Sequence, residues 1–199
     1  MEKKLTIEAD RDATQSSRNQ RIDDHHSWAE NEAAAMADAL SLSAEYRVLL
    51  CAASRVHDLG KDRELWQTAM GAPRAERPLA KIANNKANGR ALNGYRHEFG
   101  SLGDGESVFN SLPGELRDLA RHIVVAHHGF ARPVIAAKDP NNPPSLVTPR
   151  AREAALRFTR VQAQWGPWGL AWWETLLRAV DWKASAALDL MPAQNGKDP

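Results

Sequence analysis

The stretch SAEYRVLLCAASRVHDLGK, residues 43–61, reads as one helix running into an abrupt stop. Leu49, Leu50, Ala53 and His57 recur at helical intervals along one face, Ser43 offers a capping hydroxyl at the start, and Gly60 marks the end. Working outward, DHHSWAENEAAAMADAL predicts a helix over 24–40, opened by a capping aspartate and carrying apolar residues at the same period. A short helix is expected over DRELWQTAM, after which Gly71, Pro73 and Pro78 break regularity. Further helices are expected over residues 97–110, 114–128, 149–163 and 168–189, with a proline-rich loop over 129–148. No strand alternation and no internal repeat stands out. The expected fold is all-α, a helical bundle interrupted by two long loops, with residues 1–21 a polar tail or linker and 191–199 a second tail.

Composition narrows the classes. A chain of 199 residues with 43% hydrophobic content can bury one good core. Twenty-six basic and 25 acidic residues give a formal net charge of +1, so whole-chain charge names no partner. The single cysteine, Cys51, excludes an internal disulfide and, lying in VLLCAA, reads as a small core residue. No secretory signal and no apolar run of about 18 residues is present, so a soluble cytoplasmic protein without a membrane partner is expected.

The chemistry-bearing residues gather at helix ends. Of seven histidines, His57 closes one apolar stripe, and the face Leu116, Ala120, Ile123, Val124 runs into His127 beside His128 and Gly129. Asp181 shares a face with Leu177, Ala184 and Leu188, where an unpaired carboxylate would be costly to bury. A metal ion would remove that difficulty. Imidazoles and carboxylates in this mixture suit Mn, Fe, Co, Ni or Zn.

The order His25, HDLGK at 57–61, His97, HHG at 127–129 and Asp181 in RAVDWKAS resembles the HD metal-dependent phosphohydrolase superfamily, and within it the HD nuclease of the CRISPR-associated helicase-nuclease of type I systems. The likeness covers roughly residues 22–190 and extends to the lysine after HDLG and to the pair Trp66 and Gln67, where the pattern favours phenylalanine over tryptophan. Two adjacent histidines compete for the first position. His25 is preferred because Ala29, Ala33, Met36 and Leu40 continue its stripe, with His26 the alternative.

By this resemblance the domain binds two divalent transition-metal ions. His25, His57, Asp58 and Asp181 would hold one, and Asp58, His97, His127 and His128 the other. Asp58 would then bridge two cations about 3.5–4 Å apart, an arrangement suited to in-line attack on phosphate. The helix would stop at Gly60 to expose Asp58 to the cleft, with Lys61 beside it to steady charge developing on the phosphate. His122 is left over, as packing or as support behind a ligand.

For substrate, KIANNKANGRALNGYR at 81–96 has four basic residues, Lys81, Lys86, Arg90 and Arg96, and no acidic one, so a phosphate backbone could lie along it on the way to His97. Most of the seven tryptophans are expected in the core, while QWGPWGLAWW offers indole surface for a helicase module. The implied partners are single-stranded DNA and a CRISPR effector complex. Because the chain carries no GxxxxGK[ST] phosphate loop, the helicase would be another domain or chain. Two other readings are a phosphodiesterase acting on a nucleotide or cyclic dinucleotide, whose further signature residues HHGFARP lacks, and an adaptor whose metal only holds helices together.

Overall fold

Alanines at 29, 33 and 37, each fully buried, leave α1 (Ile22–Ala39) with a shallow face on which α2 (Ala44–Val56) lies closely, through Leu49, Leu50, Ala53 and Val56. The computed structural model describes residues 17–83 and 87–190, the side chains of 188–190 excepted. A short α3 (Glu64–Ala69) follows, then α4 (His97–Asp104), α5 (Glu106–Asn110), α6 (Gly114–Ala126) and a long α7 (Pro144–Leu190). α6 contributes Leu116, Leu119, Ala120, Ile123 and Val124 to the same core, and α7 closes it with Val161, Trp173, Leu177, Val180 and Ala184. Each large side chain so buried is worth about 1.5–3 kcal/mol relative to exposure. The all-α expectation holds.

The helix boundaries depart from the expected ones in ways the backbone explains. α2 ends at Val56, not Gly60, and a separate 3-10 turn spans Leu59–Lys61. The expected helix 97–110 breaks at Gly105 into α4 and α5. α7 starts at Pro144, earlier than expected, and kinks at Gly166, whose φ of 66° and ψ of 169° no helix accommodates, so the two segments expected separately are helices on either side of that residue. Its early start shortens the loop expected over 129–148, and Pro149, inside the first turns, has no N–H to give the Ser145 carbonyl. Ser43 stands at the start of α2 without a side-chain capping bond.

Sequence reading missed one two-stranded antiparallel sheet, β1 (Gln20–Arg21) with β2 (Leu79–Lys81), in which Gln20 pairs with Lys81. Strands this short show no alternation to detect. β1 also corrects the tail boundary, since Gln20 is buried in the fold rather than part of a tail. The remainder of the expected tails, residues 1–16 and 191–199, lies outside the described residues.

A second, smaller core sits under β2, formed by Trp66, Ala69, Met70, Leu79, Ile82 and Tyr95. Gln67 joins it to the strand: its Oε1 accepts from Leu79 N at 3.0 Å, and its Nε2 donates to the carbonyls of Leu79 and Lys61, each at 2.9 Å. Gln67→Leu keeps the volume but strips the Leu79 N–H and carbonyl of their side-chain partner and leaves the Lys61 carbonyl with Arg63 N–H. It is expected to cost about 2–4 kcal/mol in urea unfolding, since each buried group left unsatisfied costs about 1–3 kcal/mol.

Candidate metal centre

Seven side chains from five helices or their ends, and from the turns beside them, converge on one interior point. His25 lies in the first turn of α1, His57 caps α2, Asp58 follows it, and His97 opens α4. His127 caps α6 with His128 next to it, and Asp181 lies on α7. One group joins His25, His57, Asp58 and Asp181, the other Asp58, His97, His127 and His128; within each, one donor atom per residue lies within 4.8 Å of all the others. Asp58 belongs to both groups. His25, not His26, is the member from α1.

The hydrogen bonds determine which ring nitrogens face inward. Gln20 donates through Nε2 to Ser185 O at 2.7 Å, so its Oε1 is turned to accept from His25 Nδ1 at 3.1 Å. His57 Nδ1 donates to Ser54 O at 2.7 Å and His127 Nδ1 to Val124 O at 2.6 Å, each to the carbonyl three residues earlier. In the neutral ring each Nε2 is therefore an acceptor. Those acceptors point at other acceptors: His25 Nε2 lies 3.0 Å from Asp181 Oδ1 and 3.6 Å from Asp58 Oδ2, and His57 Nε2 lies 3.5 Å from both oxygens. His97 Nε2 sits 3.2 Å from Asp58 Oδ1, while His127 Nε2, fully buried without a hydrogen-bond partner, is 4.0 Å from it.

Lone pairs facing lone pairs in a buried site repel one another unless a proton or a cation lies between them. Donors about 2.0–2.1 Å from a shared ion stand about 3.0–3.4 Å apart in octahedral or tetrahedral arrangement, close to the spacings found here. The donor set fits a divalent ion, and these buried groups could hold one.

Electrostatics agree with that donor set. Burial, foremost, holds His25 down at about 4, and burial followed by the neighbouring His128 keeps His127 well below its usual range, so both rings remain neutral and free to offer a lone pair to a cation. His26, also held down chiefly by burial, at about 3, faces the same interior without joining either group. For His57 burial works the same way, but the carboxylates of Asp58 and Asp181 outweigh it and raise its pKa, as expected where a cation is wanted. Burial opposes ionisation of Asp58 and Asp181, yet Lys61 beside the one and Lys81 beside the other hold both far below the ordinary carboxylate range.

The two lysines correct two expectations. Lys61 is fully buried, its Nζ 2.7 Å from Asp58 Oδ2 and 3.3 Å from Ala80 O, so it orients the carboxylate instead of reaching a phosphate. Lys81 is equally buried, with Nζ 3.0 Å from Asp181 Oδ1, and no phosphate backbone can pass over it. Asp181 is thus paired by a lysine that sequence reading had assigned to substrate. Of the remaining track, Arg90 is exposed, Arg96 stacks its guanidinium 3.6 Å above the Phe130 ring and pairs with Glu98, and Lys86 lies outside the described residues.

Several supports carried no signal in sequence. Gln20 lay in an unpromising polar segment. Ser101 bridges α4 to the ligand turn, donating to His57 O at 2.7 Å and accepting from Gly60 N at 2.9 Å. Arg178 donates through Nε and Nη2 to the His127 carbonyl at 3.0 and 2.8 Å. His122 is no part of the centre; it meets Glu174 at 2.7 Å, a carboxylate also paired with Arg132. Of the seven tryptophans, Trp66 and Trp173 are buried and Trp28 and Trp165 pack against the core, while Trp168, Trp172 and Trp182 are exposed.

Comparison of the chain with protein-family models, curated proteins and solved structures finds no match. The site is therefore read from its own geometry. Among the described residues, no helix is long and apolar enough to cross a membrane.

Proposed function

We propose that this chain is a metal-dependent deoxyribonuclease that cleaves single-stranded DNA in type I CRISPR interference. It would act in the cytoplasm with an ATP-dependent helicase supplied by another domain or chain and with the CRISPR effector complex. The observation that carries the hydrolase reading is the pair of four-donor groups sharing Asp58. Single-stranded DNA and the CRISPR setting are supported by the ordered motif set His25, HDLGK, His97, HHG and Asp181.

In this reading His25, His57, Asp58 and Asp181 hold one divalent ion and Asp58, His97, His127 and His128 a second. Two such ions, when bound, supply an activated water and stabilise the attacking and leaving oxygens of an in-line displacement. The chain's own part is preorganisation. Gln20, Ser54 and Val124 fix the imidazole tautomers of His25, His57 and His127, so that no ring must turn when substrate arrives. Lys61 keeps Asp58 ionised and aimed, which makes it a positioning residue, and Asp58 is the group on which the reaction depends.

His128 is the only one of the seven that is not fully buried, so substrate approaches from its side, where Phe130 and Arg96 form the rim. A stacked guanidinium and aromatic ring suit an unpaired base and its phosphate.

Purified protein is expected to nick circular single-stranded DNA in Mn, Co or Ni and to stop on addition of a chelator. Turnover of free nucleotides or cyclic dinucleotides without any DNA cleavage would replace this reading with the phosphodiesterase one.

A further inference from the structure

Both carboxylates of the centre are matched by buried lysines. Lys61 comes from the 3-10 turn and Lys81 from β2; each is fully buried, and each places its ammonium within 3.0 Å of one carboxylate oxygen. The two lysines are tied together, since Lys61 Nζ also donates to the carbonyl of Ala80, the residue before Lys81. β2 cannot swing away, because Gln67 grips Leu79 on both its N–H and its carbonyl, and Gln20 pairs with Lys81 across the sheet. Glu98, the other buried acid beside a ligand, is matched by Arg96, and Arg178 on the His127 carbonyl adds positive charge.

We propose that Lys81, together with Lys61, sets which cations the centre accepts. By cancelling the two carboxylate charges they leave an imidazole-rich cage with almost no net attraction for a cation, which admits transition-metal ions and turns away Mg2+ and Ca2+. The inference deepens the metal-centre reading and rests on it.

Mg2+ and Ca2+ are hard cations held by charge and oxygen ligands, and they depend on uncompensated carboxylates. Co, Ni and Zn, and Mn to a smaller degree, draw affinity from nitrogen lone pairs, of which the centre offers five, and keep that part when the charge is cancelled. A buried lysine is expensive, so two of them pointed at prospective ligands serve selectivity at the expense of affinity. Lys81 is the cleaner of the two to vary, because its ammonium pairs with Asp181, which belongs to one donor group, whereas Lys61 pairs with the shared Asp58.

The experiment is calorimetric titration of the purified chain with Mn2+ alone and with Mg2+ alone, comparing the wild type with Lys81→Met and Lys81→Gln. Thermal unfolding monitors the fold, and the two replacements guard against loss of either one. The wild type should bind Mn2+ and show no measurable Mg2+ binding. Removing one positive charge a few ångströms from the ion should tighten Mn2+ by about tenfold or more and bring Mg2+ binding into range.

Unchanged or weaker Mn2+ affinity in the folded variants, with Mg2+ still excluded, would overturn the role given to Lys81 while leaving the metal centre intact. A wild type that binds neither ion would overturn the metal centre and this inference together.

Discussion

Asp58→Ala is expected to abolish cleavage of circular single-stranded DNA in Mn2+ and to leave metal binding undetectable by calorimetry. Asp58 is the only residue common to both donor groups, one of its oxygens facing His25 and His57 and the other His97 and His127. Its removal subtracts a ligand from each. The loss should exceed the 10- to 100-fold, roughly, seen when a residue that merely supports a ligand is changed.

The variant also strands the Lys61 ammonium in the interior with Ala80 O as its remaining partner, and breaking a buried pair from one side costs about 3–5 kcal/mol. A fall in activity could then reflect unfolding. The double variant Asp58→Asn with Lys61→Met separates the two effects, because it removes the stranded charge and keeps the volume. It should fold and still not cleave, as judged by circular dichroism beside the nicking assay. Cleavage at the wild-type rate by either variant would remove the mechanism.

Gly60→Ala should produce the largest loss of stability from the smallest change. A Cβ on Gly60 would stand 1.9 Å from the His97 carbonyl oxygen and 2.8 Å from both His97 C and Ser101 N. These are backbone atoms of α4, which no rotamer change can move aside. The turn and the helix must separate, so the expected cost lies at or above the upper end of the usual overpacking range of about 1–3 kcal/mol.

The same displacement carries His97 away from Asp58, and Mn2+ affinity should fall with stability. Urea unfolding and calorimetry check the two arms. Gly114→Ala is the control: nothing lies within 4 Å of its added Cβ, and a change of less than about 1 kcal/mol is expected. Equal stability of the wild type and Gly60→Ala would mean that the turn does not rest on α4 as described.

Gly60 shows how far local reading reaches. Its presence after HDL was legible as a break, and the reason first assigned, termination of α2 to expose Asp58, was not the structural one. α2 has already ended at Val56, and glycine is required at 60 because another helix occupies the space of a side chain. The helix segments were legible because apolar residues recur at the helical period within each, as in Ala29, Ala33 and Ala37. The division between the last two segments was legible too, and the non-helical Gly166 is where the chain kinks between them. Lys81, like Gly60, was misread. Four basic residues without an acidic one look like a phosphate track, but the acid that answers Lys81 is Asp181, 100 positions later.

Sequence alone determined that the protein is helical, because periodicity belongs to short stretches of chain, and its resemblance to HD phosphohydrolases picked out, with His26 as the alternative to His25, seven histidines and aspartates that come together. Tertiary structure alone decided which nitrogen of each ring faces inward, which carboxylate each buried lysine cancels, and why residue 60 bears no side chain. Those outcomes depend on distances between segments far apart in the chain, and burial enforces them, since charges and lone pairs removed from solvent must find partners among whatever the packing brings near.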